Sequence, residues 1–202
     1  MKGAFLIIAL LLLAVLLGLS IGQVMIGPAA LWDGLWHGSG PGTLFLRVLR
    51  GPGVGTALGA GAVLGMSGAI FQILLRNPLA DPYILGSSGG AAVGALLVML
   101  AGGSALLVDA SAFGGALIST LLVFLIARYH GDWTPGRLLL TGVVIAAGWG
   151  AVISLLLAMA PASNLRGILF WLMGDFSFAG NFMPSIIVAT FALGIGFVLA
   201  RS

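Results

Sequence analysis

Few residues in this sequence are equipped for chemistry, and their spacing narrows the choices. Asp33 and His37 stand four apart, a separation that places two metal ligands on one helix face. Two ligands of mixed type without a third nearby make a poor site, and a solvated pair is the plainer reading. His130 stands alone beside Gly131 and Asp132. Gly65-Met66-Ser67-Gly68 places a serine in a GxSG setting, yet a serine nucleophile needs a histidine base within hydrogen-bond reach. Neither His lies in a late apolar stretch where such a pair would form. The same pattern recurs at Gly86-Ser87-Ser88-Gly89, so it arises cheaply in Gly/Ser-rich runs. Lys2 is the single lysine, so no phosphate-cradling Walker loop exists, and energy from ATP would have to be supplied by a partner.

The elements that would position these groups follow from composition. Of 202 residues, 60% are hydrophobic and only 6% charged, against roughly 25% charged in a soluble domain. A mean hydropathy of +1.22 agrees. A soluble globular enzyme, a disordered chain and a collagen-like chain are excluded. The pI of about 10.2 reflects a net charge of only +3 with no basic run, so a nucleic-acid partner is not implied. With Cys at zero, disulfides and thiolate chemistry are excluded together. The composition is that of an integral membrane protein.

Six stretches without charge predict an all-α, polytopic transmembrane bundle: residues 4–25, 54–75, 84–101, 110–127, 138–160 and 185–200. Every charged residue falls outside them, as expected when one Arg or Asp at a helix centre costs about 2.5–3.5 kcal/mol. The first stretch follows Lys2 but exceeds a signal-peptide core and has no A-x-A site after it, so it reads as a retained helix. Basic residues orient the bundle with its N-terminus in the cytoplasm. Lys2, Arg76, Arg128, Arg137 and Arg201 then face inward, and Arg47, Arg50 and Arg166 outward.

Small residues recur at four-residue spacing in the second stretch (Gly55, Gly59; Gly61, Gly65, then Ser67 and Gly68) and the third (Gly86, Gly90, Gly94). Such spacing lets helix backbones approach closely in lipid, so both stretches are predicted inside the bundle, and the Leu/Ile-rich first one outside it. Pro28 is placed to open a short helix carrying Leu31, Trp32, Leu35 and Trp36 on one face, suited to the outer interface. Residues 165–176 are apolar but too short to span and read as re-entrant or interfacial. Asn77-Pro78 and Asp81-Pro82 bias the chain away from helix, making 76–83 a firm turn with Arg76 and Asp81 available to pair.

One long segment is far more specific. Residues 50–94 read RGPGVGTALGAGAVLGMSGAIFQILLRNPLADPYILGSSGGAAVG. This resembles the FecCD/BtuC-like permease family of ABC importers for iron-siderophores, haem and cobalamin. The family's R-x-P-R appears as Arg50-Gly51-Pro52-Gly53 and its G-x-x-x-Q as Gly68 to Gln72. Its N-P-L-A-[DE]-P appears as Asn77-Pro78-Leu79-Ala80-Asp81-Pro82, followed by Leu85-Gly86. Arg137-Leu138-Leu139-Leu140-Thr141-Gly142 resembles the start of the family's fifth helix, and Leu165-Arg166-Gly167 with Trp171-Leu172-Met173-Gly174 its outer loop before the sixth. The second Arg of R-x-P-R is Gly53 here, while Arg47 stands one turn earlier.

The resemblance implies a permease subunit in the cell (inner) membrane, not an enzyme and without a cofactor, with six spans present of the family's ten. On that reading residues 1–202 are a transmembrane permease domain, C-terminally incomplete relative to the family. Its implied partners are two copies of an ATP-binding subunit, a periplasmic or lipid-anchored substrate-binding protein, a second permease forming a homodimer, and the bilayer. Gln72, Trp133, Thr134, Pro135 and Thr141 are implied at the translocation pathway or gate, and Arg47, Arg50 and Arg166 at the binding-protein dock. Asn77, Pro78, Asp81, Pro82 and Gly86 are the structural motif. The alternatives are a truncated, non-transporting membrane remnant and a rhomboid-like intramembrane serine protease using Ser67.

Overall fold

A computed structural model describes all residues except 1, 23–24, 37–40, 79, 130, 132–133, 175, 177–179, 181–182 and 202. His37, His130 and Trp133 therefore lie outside the described residues, as do the side chains of Lys2, Leu35, Arg47 and Arg201. The described chain is helical, and it divides into two compact units, residues 1–66 with 175–202 and residues 67–174.

In the first unit, α1 (Lys2–Ser20) is exposed over most of its length, from Phe5 at 69% to Leu17 at 46%, and half-buried at Leu19 and Ser20. Its apolar side chains point in all directions rather than along one stripe. The short helix α2 (Pro28–Trp36) opens on Pro28, whose missing N–H costs nothing in a first turn. Ile26, Leu31 and Leu46 form a buried cluster against Leu19. Leu31 thus turns inward while Trp32 and Trp36 stay outside, so these residues do not share one face as predicted. A four-residue turn of helix, α3 (Pro41–Leu44), leads into a π-helical segment Phe45–Arg50 and then α4 (Gly51–Leu75). The cause of the π segment is Pro52: it lacks an N–H, and its ring crowds the carbonyl four residues back, so an unbroken α-helix cannot run through it. Gly51 donates instead to Leu46 O, and a Cβ at Gly51 would overlap that carbonyl.

The close approaches of α4 in this unit differ from the prediction. Gly59 meets Ser185 of α9 (Met183–Arg201), where an added Cβ would come within 2.6 Å of the Ser185 Cβ. Among the described residues, nothing lies within 4 Å of a Cβ placed at Gly61, Gly65 or Gly68. The second stretch is therefore not packed along its Gly61–Gly65 stripe against any described residue.

In the second unit, α4 ends in a Schellman motif, with Asn77 N–H donating to Gln72 O (3.1 Å) and Arg76 N–H to Ile73 O (3.3 Å). The left-handed position is filled by Arg76 (φ 48°) where Gly is usual. Asp81 accepts from Tyr83 N–H (2.8 Å), capping a 3₁₀ turn, Pro82–Leu85. Its carboxylate is used locally, and no Arg76–Asp81 ion pair forms among the described residues. The third apolar stretch is also broken: Gly86 (φ 68°) separates the 3₁₀ turn from α5 (Ser87–Leu100).

Helix α5 lies at the centre of this unit, with Ala95 and Leu96 fully buried. Its glycine stripe faces α6 (Ala105–Tyr129), Gly90 against Gly115 and Ser119 and Gly94 against Ser111, so the two helices run antiparallel in backbone contact. Its other side meets α7 (Pro135–Met159), with Gly86 against Ala146 and Gly89 against Trp149. Thr134 caps α7 by accepting from Arg137 N–H (3.4 Å), with Pro135 in the first turn. The stretch read as re-entrant or interfacial forms α8 (Ala162–Met173), three residues earlier than the predicted bounds, with Ile168 buried.

Candidate functional site

The described gate and motif residues, Trp133 aside, all lie within the second unit. Leu75, Ala80, Leu85, Val123, Ala127 and Leu138 form one buried cluster, against which Phe71, Phe124, Leu139 and Ile145 pack. The cluster joins the end of α4, the Asn77–Gly86 motif, the end of α6 and the start of α7. Asn77 O accepts from Ala80 N–H (3.1 Å), so the motif turn is closed by its own backbone. Gly142 approaches the backbone of Ile84 and Leu85 closely, and a side chain there would strike the Ile84 carbonyl. Half-buried Thr141, next in sequence, is thereby brought to the same level as the 3₁₀ turn. Gln72 is exposed on the last turns of α4, and Thr134 and Pro135 are exposed at the head of α7.

Above that cluster sits a polar node not anticipated from sequence. Ser119 is fully buried, donates to Gly86 O (2.8 Å) and accepts from Trp149 Nε1–H (2.8 Å). One hydroxyl thus ties α6, the break before α5, and α7 together. A side-chain hydroxyl with both a donor and an acceptor partner is satisfied where no water can reach it. The available signal was Gly115 and Ser119 at four-residue spacing on α6, the small-residue counterpart of Gly90 and Gly94. The indole partner, 30 residues away, left no trace in local spacing.

The arginines implied at the dock differ in their engagement. Arg50 closes the π-helical segment, and its Nη1 donates to Leu19 O (2.7 Å) and Ser20 O (3.0 Å). These are carbonyls of the last turn of α1, left without intrahelical partners and carrying the negative end of the helix dipole. A cation is well placed there, so at least part of Arg50 is a helix cap. Arg47 lies in the same segment, its side chain outside the description. Arg166 is exposed on α8, along a shallow groove of about 390 Å³ lined by Ala162, Leu165, Leu169, Phe170 and Met173. Among the described residues no three His, Cys, Asp or Glu side chains gather, so the donor set assembled here is one of backbone carbonyls, hydroxyls and an indole.

The FecCD transport family matches residues 10–202 of the chain. The vitamin B12 import system permease proteins BtuC of Escherichia coli O139:H28 and Salmonella newport are each 38% identical over 170 residues, 83% of this chain and 50% of theirs. That of Citrobacter koseri is equally similar, with 49% of its length covered. Among solved structures, a metal-chelate type ABC transporter in an inward-facing conformation superimposes with a TM-score of 0.69 and 28% identity. The match covers 91% of this chain and 54% of that one. The chain spans about half the length of the relatives it matches.

Proposed function

The chain belongs to the FecCD transport family, and on that premise we propose that it forms membrane-spanning permease structure of an ABC importer for a cobalamin, haem or iron-chelate cargo. The observation that carries this reading is the 38% identity to vitamin B12 permeases, maintained over 170 residues. The all-α architecture and the three long apolar helices, α4, α6 and α7, support it.

In this reading the chain sits in the inner membrane with its N-terminus in the cytoplasm. Two permeases pair around the pathway, two ATPases bind below, and a substrate-binding protein docks outside. Gln72, Trp133, Thr134, Pro135 and Thr141 border the pathway or its gate. The cluster that unites the motif turn with the head of α7 supports this, because it couples Thr134–Thr141 mechanically to the end of α4. Coupling needs a contact that differs between two states of the permease, and a packed cluster joining four elements can serve as one. For docking, Arg166 is the strongest of the three arginines, since it is exposed while Arg50 already bonds to α1. An exposed cation at the rim of an interface steers an acidic partner.

The test is complementation. The gene that contains this sequence, expressed with a cognate ATPase and substrate-binding protein in a strain lacking its own vitamin B12, haem and ferric-siderophore permeases, should restore ATP-dependent uptake of one labelled cargo. Arg166→Glu should weaken binding-protein capture with insertion unchanged. Failure to take up any of the three cargoes would overturn the proposal.

A further inference from the structure

The surface of α2 carries a feature that transport does not use. Trp32 and Trp36, one helical turn apart, stack with ring centroids 4.8 Å apart and planes within 5°. Together they make a flat aromatic plate, yet they are 58% and 70% exposed. A plate this size would normally be buried or would face a partner. On the helix, Leu31 stands about 100° round from Trp32 and points into the cluster with Ile26 and Leu46. Asp33, exposed, lies further round from that buried side. The orientation of α2 is therefore set: one side is held by the protein, and the tryptophans project away from it.

The position of α2 identifies what it meets. Nineteen residues of α1 extend about 28 Å, close to the roughly 30 Å hydrocarbon thickness. The end of α1 therefore falls at a boundary of the bilayer. That end is clamped to the α2 region, because Arg50 bonds to Leu19 O and Ser20 O, Ile26 N–H donates to Ser20 O (3.0 Å), and Leu19 packs on the Ile26–Leu31–Leu46 cluster. The plate is thus fixed near the end of an exposed apolar helix. Nine residues cannot cross a bilayer, and Asp33 would resist deep burial. Indole has an apolar body and one N–H donor, the chemistry that concentrates at the headgroup level.

We propose that α2 is an in-plane interfacial anchor, with the stacked Trp32–Trp36 plate bedded in the lipid headgroup layer where α1 leaves the membrane. The proposal rests on α1 being a membrane span. Its consequence is that Arg50, by clamping α1 to α2, fixes the depth of this corner of the permease in the bilayer.

The Cys-free sequence permits a direct depth measurement. Nitroxide labels are placed singly through Leu11→Cys, Trp32→Cys and Trp36→Cys in the chain reconstituted in phosphatidylcholine vesicles. Relative collision rates with oxygen and with a water-soluble nickel chelate then report depth. Label 11 should be deep, and labels 32 and 36 should lie at the headgroup boundary, accessible to both reagents. In parallel, Trp32→Phe/Trp36→Phe should reduce the fluorescence quenching that shallow-brominated lipid causes in the parent chain, leaving the share contributed by Trp133 and Trp171, while quenching by deep-brominated lipid changes little. A water-like profile at 32 and 36, or inaccessibility to both reagents because a protein covers them, would overturn the anchor. A shallow label 11 would instead overturn the reading of α1 as a span.

Discussion

Ser119→Ala should destabilise the α5–α6–α7 unit by more than its small change in size suggests. The substitution removes one oxygen from a fully buried site and leaves no cavity of consequence. It also removes the acceptor of Trp149 Nε1–H and the donor to Gly86 O. The Gly86 carbonyl keeps a second partner, Gly90 N–H at 3.1 Å, so the indole is the group left stranded. A buried donor without a partner costs about 1–3 kcal/mol, while interhelical hydrogen bonds in membranes average about 0.6 and reach about 1.7 kcal/mol. Between those limits the expected loss is about 1–2 kcal/mol. Trp149→Phe leaves Ser119 still bonded to Gly86 and removes the indole donor with its bond. In Ser119→Ala/Trp149→Phe neither member of the pair remains, so the double variant should lose less than the sum of the single losses, by about 1 kcal/mol. Unfolding in mixed micelles by titration with SDS, followed by far-ultraviolet circular dichroism, measures all four corners of the cycle. Additivity within about 0.3 kcal/mol, or a neutral Ser119→Ala, would refute the reasoning that this hydroxyl ties three helices together.

Three further outcomes are accessible to the same assay. Gly90→Ala inserts a methyl group into the Gly115 backbone and should cost about 1–3 kcal/mol, whereas Gly61→Ala, with nothing within 4 Å, should be neutral or gain up to about 1 kcal/mol of helix propensity. Arg76→Gly relieves a left-handed conformation at φ 48° and should raise stability by about 1–2 kcal/mol; an unchanged midpoint would mean that the Arg76 side chain compensates. Thr134→Ala removes the cap of α7, and because that bond is long at 3.4 Å the loss should sit near the low end, about 0.5 kcal/mol.

What could be read without a structure is what depends on short stretches of chain. Hydropathy summed over some twenty residues locates α1, α4, α6, α7 and α9, because lipid solvates a helix by its own side chains whatever its neighbours are. Thr134-Pro135 and Pro28 mark helix starts, since capping satisfies N–H groups only a few residues away. The Asn77–Pro82 motif, the Arg137–Gly142 segment and the family were legible because a motif is itself a string of neighbours. Spacing could not say which glycine stripe is used. Four-residue intervals state that a backbone can be approached, and only docking decided that Gly90 and Gly94 are, while no described residue approaches Gly61 and Gly65. Nor could it give Arg50 its partner, 30 and 31 residues upstream, or pair Ser119 with Trp149. The break at Gly86 also needed the fold: its left-handed turn is held by a carbonyl bonded to Ser119, a contact 33 residues distant. Helices form on local hydrogen bonds, but their backbones can touch only where small residues from distant parts of the chain meet, and that meeting belongs to the tertiary structure.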